Sequence, residues 1–145
     1  MKDLKGIIFF IVIAIVAGFI ILGALKRQDA FNDINKYVKE NKSELETIKD
    51  DYLNGKESSL PEEIESVKVI TTDKDTLVYF KMKDRGSKKT NVGFYYSKID
   101  FPNALEDKDI DIVELGGDKY KWVDDSSEGV TNKIEKNWYS YKKTK

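Results

Sequence analysis

Cysteine and histidine are both missing from the 145 residues of this chain. Without cysteine, the protein has no disulfide, no thiol nucleophile and no cysteine-based zinc site. Without histidine, it lacks the commonest metal ligand and the commonest general base. No G-x-S-x-G elbow is present, and nothing marks any two of the 26 acidic residues as a catalytic pair. We therefore predict a protein that is not an enzyme, with no catalytic residue, no metal site and no cofactor.

An excess of charge of one sign is missing too, because 25 basic residues nearly balance 26 acidic ones. A nearly neutral chain has no overall field to attract nucleic acid, so no nucleic-acid partner is expected. The charge is uneven locally, since residues 100–125 carry nine acids against three lysines, whereas the tail from Val130 carries five lysines against one glutamate. This polarity indicates solvated faces, or a domain oriented toward a surface or partner.

One long apolar run is present, at residues 6–25, and it contains no charged residue. As a helix it would be about 30 Å long, which matches the hydrocarbon core of a bilayer. Leu25 stands where a cleaved signal needs a small residue, so we predict an uncleaved transmembrane anchor after a basic segment at residues 1–5. A signal-anchor of this kind places the remaining chain outside the cytoplasm, although the count of flanking lysines favours the opposite orientation.

After the span, apolar residues recur at helical spacing over residues 26–54, which predicts a helical stalk. Ser43 and Glu46 match the capping-box pattern, so a helix pair is as consistent with the stripe as one helix. The stripe fits packing on a domain better than a coiled coil. Residues 55–63 then form a linker. The stripe comprises Phe31, Ile34, Val38, Leu45, Ile48 and Tyr52.

From residue 64 onward the apolar pattern alternates, which is typical of strands. Two strands flank a turn at residues 73–75, a third covers residues 92–97, and a hairpin turns at residues 116–118. The last apolar residues fit a helical turn up to about residue 136, followed by a strand at 138–142. The predicted fold class is therefore α+β: a transmembrane helix, an amphipathic helix or helix pair, and an antiparallel meander of five or six strands in a small domain at residues 64–145.

Aromatic residues crowd into three short segments of this predicted domain. Adjacent strand residues face opposite ways, so Phe94 and Tyr96 share one face and Tyr95 takes the other. One set fills the core, and the other set is either covered by helix and loops or exposed to a partner. The candidate binding patch comprises Tyr95, Trp122, Trp138, Tyr139 and Tyr141.

The acidic series at Asp107, Asp109 and Asp111 has the spacing that opens a calcium loop. The sixth position is Ile112 rather than glycine, and the twelfth is Asp118 rather than glutamate. A solvated strand face explains the same residues without an ion, so no metal site is predicted here.

Three segments carry a resemblance to known proteins. Residues 93–102 read G-F-Y-Y-S-K-I-D-F-P, residues 37–46 read Y-V-K-E-N-K-S-E-L-E, and residues 136–142 read K-N-W-Y-S-Y-K. In these segments the chain resembles an uncharacterised family of small Gram-positive bacterial proteins with a G-F-Y-Y-S-x-x-D-x-P-like segment and an aromatic N-W-Y-x-Y-K-like tail. Ser140 departs from the pattern, because another aromatic residue is more usual there. The resemblance implies a shared fold and partner surface, without an established activity.

These observations predict an integral membrane protein of the cell membrane, a non-enzymatic interaction module tethered at the bacterial cell envelope. Its partner would be another protein, which it would neutralise as a toxin or join as an accessory subunit. The alternative is an envelope-facing domain that senses or binds a wall polymer or a small molecule. A pocket flanked by Trp122 and Trp138 would favour that alternative, and a flat exposed aromatic face would favour the protein partner.

Overall fold

The computed structural model describes residue 15 and residues 31–83, 89–104 and 110–145. The chain divides into two compact units, Met1–Asp33 and Ile34–Lys145. In the first unit only Ile15 and residues 31–33 are described, and all of them are helical. The account below therefore concerns the second unit.

Two short helices come before the strands. Helix α1 is described over residues 31–40, and helix α2 is Lys42–Leu53. The break between the two helices lies at Asn41. Its backbone N–H and its side-chain amide both donate hydrogen bonds to the Tyr37 carbonyl, at 3.0 and 2.9 Å. After α2, Gly55 adopts a φ of 71°, a conformation that glycine reaches without steric cost. The predicted stripe thus forms two helices.

Seven strands follow, and they make one antiparallel sheet in the order β1-β2-β3-β7-β6-β5-β4. The chain first forms the meander β1 to β3, then reaches the far edge of the sheet and returns through β4 to β7. Pairing of β3 with β7 joins the two halves. The strands are β1 Ile64–Thr71, β2 Thr76–Met82, β3 Thr90–Ser97, β4 Ile112–Gly116, β5 Lys119–Val123, β6 Glu128–Glu135 and β7 Trp138–Thr144.

The predicted fold class is wrong. The described chain is mostly a seven-stranded antiparallel sheet with two short helices, rather than an α+β fold with a transmembrane helix and a meander of five or six strands. Across the described residues, no helix combines the length and the apolar content needed to cross a bilayer, which contradicts the single-pass architecture. Of the predicted span, only Ile15 is described; the rest of residues 6–25 and the segment at 1–5 lie outside the described residues.

The strand that the sequence missed is β6, and a polar residue explains why. Val130 and Ile134 are four residues apart, a spacing that places them on one side of a helix and equally on one face of a strand. Asn132, which lies between them on that face, is polar, so the apolar alternation typical of a strand is interrupted. A bulge follows, where the register of β6 against β7 shifts between Lys133 and Glu135.

The helices cover one face of the sheet, which we call the helical face. Ile34 and Val38 of α1 and Leu45 and Ile48 of α2 are at most 2% exposed, and they pack in one cluster with large residues of four strands. This cluster contains Ile64 of β1, Val78, Phe80 and Met82 of β2, Val92 and Phe94 of β3, and Trp138 of β7. The apolar stripe of the helices is therefore used up in packing on the sheet.

The opposite face, which we call the tyrosine face, has a second buried cluster. It contains Ile70, Leu77, Tyr95, Tyr139 and Tyr141. Gly93 is directly paired with Tyr141, whose phenol ring crosses over the glycine and donates a hydrogen bond to the Phe80 carbonyl at 3.3 Å. A side chain at Gly93 would collide with this carbonyl and with the ring, so the packing requires glycine.

We expect Gly93→Ala to lower the free energy of unfolding by about 2 kcal/mol or more, because the added methyl group overpacks the centre of the sheet. Chemical denaturation measures the change. Thr71→Ala, at the exposed end of β1, is the matched control and should cost less than about 1 kcal/mol. Equal stability of the Gly93→Ala variant and the native protein would show that the close approach is absent.

Candidate functional site

The five residues of the predicted aromatic patch are all buried. Tyr95 is fully buried, and Trp122, Trp138, Tyr139 and Tyr141 are each 1% exposed. Trp138 packs on the helical face, whereas the register places the other four on the tyrosine face. These side chains are covered on both faces of the sheet, so the structure brings together core residues rather than an exposed patch.

Trp122 and Trp138 do not flank a common pocket either. Trp138 donates from its indole N–H to Glu46 of α2 at 3.0 Å. Trp122 lies against Gly129 of the neighbouring strand, where a glycine leaves room for the indole ring. The two indoles therefore have separate structural roles on opposite faces.

What covers the tyrosine face is the segment at residues 97–104, which we call the fastened loop. The Tyr95 hydroxyl accepts a hydrogen bond from the Asn103 N–H at 2.9 Å and lies 2.7 Å from the Thr131 hydroxyl. Because the Thr131 hydroxyl donates to the Ser140 carbonyl at 3.0 Å, Tyr95 is the donor in the Tyr95–Thr131 pair. A chain of hydrogen bonds thus runs from the loop through β3 and β6 to β7.

Asp100 is the second fastening point of this loop. Its φ of 57° is a left-handed conformation that aspartate tolerates better than most residues. The carboxylate accepts hydrogen bonds from the Asn137 N–H at 2.7 Å, from Lys133 Nζ at 2.9 Å and from the Tyr139 hydroxyl at 3.1 Å. One acidic side chain therefore holds the loop to both β6 and β7.

Asp75, in the turn between β1 and β2, is the third fastening point and is only 6% exposed. Its carboxylate accepts from the Ser97 hydroxyl at 2.6 Å and from the backbone N–H groups of Thr76 and Ile99 at 2.7 and 3.2 Å. Each of these donors lies at a strand end or in the loop, so the carboxylate has a positioning role.

The electrostatics of this network agree with its geometry. Partial burial acts to raise the pKa of the Asp100 carboxyl, but the hydrogen bonds from Lys133, Asn137 and Tyr139 outweigh it, and the pKa lies below its ordinary value. Burial, together with the adjacent Asp100 charge, raises the pKa of the Tyr139 hydroxyl. Tyr139 therefore stays a hydrogen-bond donor and Asp100 an acceptor at neutral pH.

The three segments that carry the family resemblance meet in these networks. The 93–102 segment contributes Tyr95 and Asp100, and the 136–142 segment contributes Asn137 and Tyr139, whose ring stacks on that of Tyr95 at 5.3 Å. The helical segment contributes Glu46, which binds Trp138. The motif residues thus hold the sheet, loop and helices together, and the resemblance itself stays a prediction.

Beside the fastened loop lies a cavity of about 530 Å³. One part of its wall is apolar, and the polar part comprises Thr72, Lys74, Asp75, Asn103 and Asp111. Ile99 and Phe101 are 54% and 57% exposed, so the cavity opens to solvent along an apolar rim. The apolar wall comprises Ile99, Phe101, Pro102, Ala104, Ile110 and Ile112.

A second exposed apolar region lies at the edge of the sheet formed by β4 and β5. Val113, Leu115 and Val123 are 60%, 56% and 61% exposed, and we call them the β4–β5 surface. Val113 is paired with Lys121, which is two residues from Val123, so the two valines project from the same face of the hairpin. Leu115 adjoins them at a bulge.

Sequence reasoning missed both regions as sites. Alternation in residues 109–115 indicated a half-buried strand, but a strand at the end of a sheet can alternate without a layer above it. The sequence contains one sign that this strand lies at an edge. Val113 and Leu115 stand among acidic residues, and the strand contains no lysine. Phe101, beside Pro102, carried no strand or helix pattern at all.

Within the described residues, no group of three or more acidic side chains is placed to hold a metal ion. Asp107 and Asp109 of the calcium-like series lie outside these residues, and Asp111 is an exposed residue just before β4.

No protein-family model, curated protein or solved structure matches this chain.

We expect Tyr95→Phe to lower the free energy of unfolding by about 1–2 kcal/mol, because the Thr131 hydroxyl and the Asn103 N–H lose a buried partner. The adjacent Tyr96→Phe is the matched control, since the Tyr96 ring packs on the helical face without a hydrogen bond to the described residues. Urea denaturation of both variants measures the difference, and equal costs would contradict the network.

Acid should weaken the Asp100 fastening point. Folding lowers the pKa of this carboxyl. Its contribution to the free energy of unfolding is therefore complete above the pKa of the unfolded state, about 3.9, and is lost as the pH falls through the lower pKa of the folded state. We expect Asp100→Asn to be less stable at neutral pH and to lose less stability than the native protein between about pH 5 and pH 2. Asp73→Asn, in an exposed turn, is the control. Parallel pH profiles for Asp100→Asn and the native protein would rule out this role.

Proposed function

We propose that this protein is a non-enzymatic interaction module that binds an extended segment of another protein at the outer edge of β4. The observation that carries the proposal is the β4–β5 surface, where three large apolar side chains are more than half exposed beside a sheet edge. Exposed apolar groups clustered in this way are typical of protein-binding surfaces.

The backbone of β4 supports strand addition as the binding mode. This strand is the last in the sheet order and pairs with β5 only, so no strand among the described residues uses its outer hydrogen-bonding groups. An incoming strand gains main-chain hydrogen bonds at such an edge, and its alternate side chains contact one face of the sheet. A partner with apolar residues at every second position fits beside Val113 and Val123.

The two edges of the sheet differ in how they resist such pairing. At the other edge, β1 exposes Glu65 and Lys68, and charged residues of this kind discourage unwanted strand addition. In β4 the only charged residue is Glu114. Both edge strands have a bulge, so the difference between them is one of charge. The edge formed by β4 is therefore the one suited to a partner.

Charge further defines the partner. Asp111, Glu114 and Asp118 are exposed in and around β4, whereas the exposed Lys119 and Lys121 belong to the inner strand β5. An extended segment with lysine or arginine between its apolar residues would complement the acids at the edge. A second copy of this chain fits less well, because antiparallel pairing of two β4 strands would bring their Glu114 side chains close together.

The cavity beside the fastened loop supports a second candidate function, binding of a small apolar molecule. Its volume of about 530 Å³ falls within the range of about 300–1,000 Å³ that is usual for ligand pockets. Six of the eleven residues that line it are apolar, and apolar side chains are the usual wall of such pockets. This candidate uses Phe101 and Ile110 and leaves the β4–β5 surface free.

A peptide selection separates these functions. Random ten-residue peptides displayed on phage are selected on the protein and counter-selected on a Val113→Lys/Val123→Lys variant. We expect enriched peptides that alternate apolar and basic residues, bind the native protein and lose at least about tenfold in affinity on the variant. Slower amide hydrogen exchange in residues 112–116 on binding would show strand addition.

Ile99→Lys is the matched control, because Ile99 is similarly exposed but lines the cavity. It should leave peptide affinity unchanged. Peptides that bind the double variant as well as the native protein would overturn the proposal, and peptides lost only with Ile99→Lys would favour the cavity. Light scattering of the native protein detects self-association through β4, which would make a second copy the partner.

A further inference from the structure

We propose a phosphate-binding site at the end of the sheet where the β5–β6 turn meets the end of β7. A cavity of about 290 Å³ lies there, lined by Ser126, Ser127, Lys143 and Lys145. Two hydroxyl groups and two ammonium groups are the donors that a phosphate group binds. This site is separate from the β4–β5 surface and does not depend on the proposed partner.

The first observation is an unpartnered hydroxyl at this cavity. Ser127 is 8% exposed, and its Oγ has no hydrogen-bond partner among the described residues. A buried hydroxyl without a partner costs about 1–3 kcal/mol, so native proteins satisfy nearly all of them. A bound oxyanion would accept a hydrogen bond from the Ser127 hydroxyl and remove this cost.

A second unpartnered donor lies close by. Trp122 is 1% exposed, and its indole Nε1 also lacks a partner among the described residues. The indole lies against Gly129, where a Cβ atom would be 2.8 Å from Nε1. Gly129 is paired with Lys143, whose ammonium group lies 5.7 Å from the centre of the Trp122 ring. Trp122 does not line the cavity itself, but its ring lies beside Lys143, which does.

The local charge favours an anion. Hydrogen bonds between the backbones of Asp124 and Ser127 place these residues opposite each other across the turn, so the Asp124 carboxylate also belongs to this end of the sheet. Glu128 projects from the other face, because it is paired with Val123. Both charged residues that line the cavity are lysines, Lys143 and Lys145, whereas the neighbouring acids of the turn, Asp124 and Asp125, do not line it.

The size of the cavity indicates that the phosphate group can be part of a larger molecule. Its volume is about ten times the ~30 Å³ that one water molecule occupies in the liquid, so it has room for a phosphate group with a small organic substituent. Free phosphate and a small phosphate monoester share the same recognition chemistry, and the experiment below distinguishes them.

The two tryptophans provide a direct test by NMR. Inorganic phosphate and O-phosphoserine are each titrated into the ¹⁵N-labelled protein at constant ionic strength, with sodium chloride as the reference salt. We expect a saturable shift of the Trp122 indole N–H signal and no shift of the Trp138 signal, whose N–H is held by Glu46. Tighter binding of inorganic phosphate identifies the free ion, and tighter binding of O-phosphoserine identifies a monoester.

Variants define which side chains bind. Ser127→Ala and Lys145→Gln should each weaken binding about tenfold or more, because each removes a donor to a charged ligand. Lys142→Gln is the matched control, since it makes the same charge change on the same strand but projects from the helical face beside Val92 and Val130. It should leave the affinity within about twofold of the native value.

Three results would overturn the proposal. The first is a Trp122 shift that does not saturate or that chloride reproduces, which would mean ionic screening. The second is an equal loss of affinity in Lys142→Gln and Lys145→Gln, which would mean that only net charge matters. The third is the absence of any Trp122 shift with either probe.

Discussion

The pairing of β3 with β7 is the constraint on which the rest of the molecule depends. Each half of the sheet is a local meander, and only this pairing joins them. Tyr95 and Tyr139 stand directly opposite each other across it, with rings stacked at 5.3 Å and 9° between their planes. On the other face, Phe94 of β3 and Trp138 of β7 pack under the helices. Both cores therefore lie across the same pair of strands.

This arrangement explains why a small protein without disulfides uses so many aromatic residues at its centre. Aromatic side chains bury a large area for each position in the chain, and offset or tilted pairs add a further ~0.5–1.5 kcal/mol each. Tyrosine adds a hydroxyl, which is costly to bury unless it is paired. In this fold the paired hydroxyls of Tyr95 and Tyr139 hold the fastened loop. The residues that fill the cluster on the tyrosine face therefore also position the loop that covers it.

Sequence patterns located the strands of the first half and β5 to within a few residues, because their alternation is regular. They missed β6, where the polar Asn132 interrupts the alternation between Val130 and Ile134, and so they gave too few strands. Alternation also separated Phe94 from Tyr95 onto opposite faces. It did not reveal that both faces are covered. The fastened loop is held by hydrogen bonds of Asp75, Asp100 and Asn137, and such bonds produce no periodic pattern of apolar residues in the sequence.

The exposed valines of the β4–β5 surface have the same alternation as buried ones, so only the position of β4 in the sheet shows their exposure.

The place of β7 in the sheet has a consequence for the order in which the protein is made. The last strand in the chain's order occupies the middle position, with three strands on either side. During synthesis, β6 and β3 each lack one neighbour until β7 has left the ribosome, and Tyr139 and Tyr141 of the tyrosine face arrive with it. Long-range pairing of this kind folds slowly and leaves strand edges open for longer. Until β7 is added, the edges of β3 and β6 that it will occupy are therefore open to misassembly.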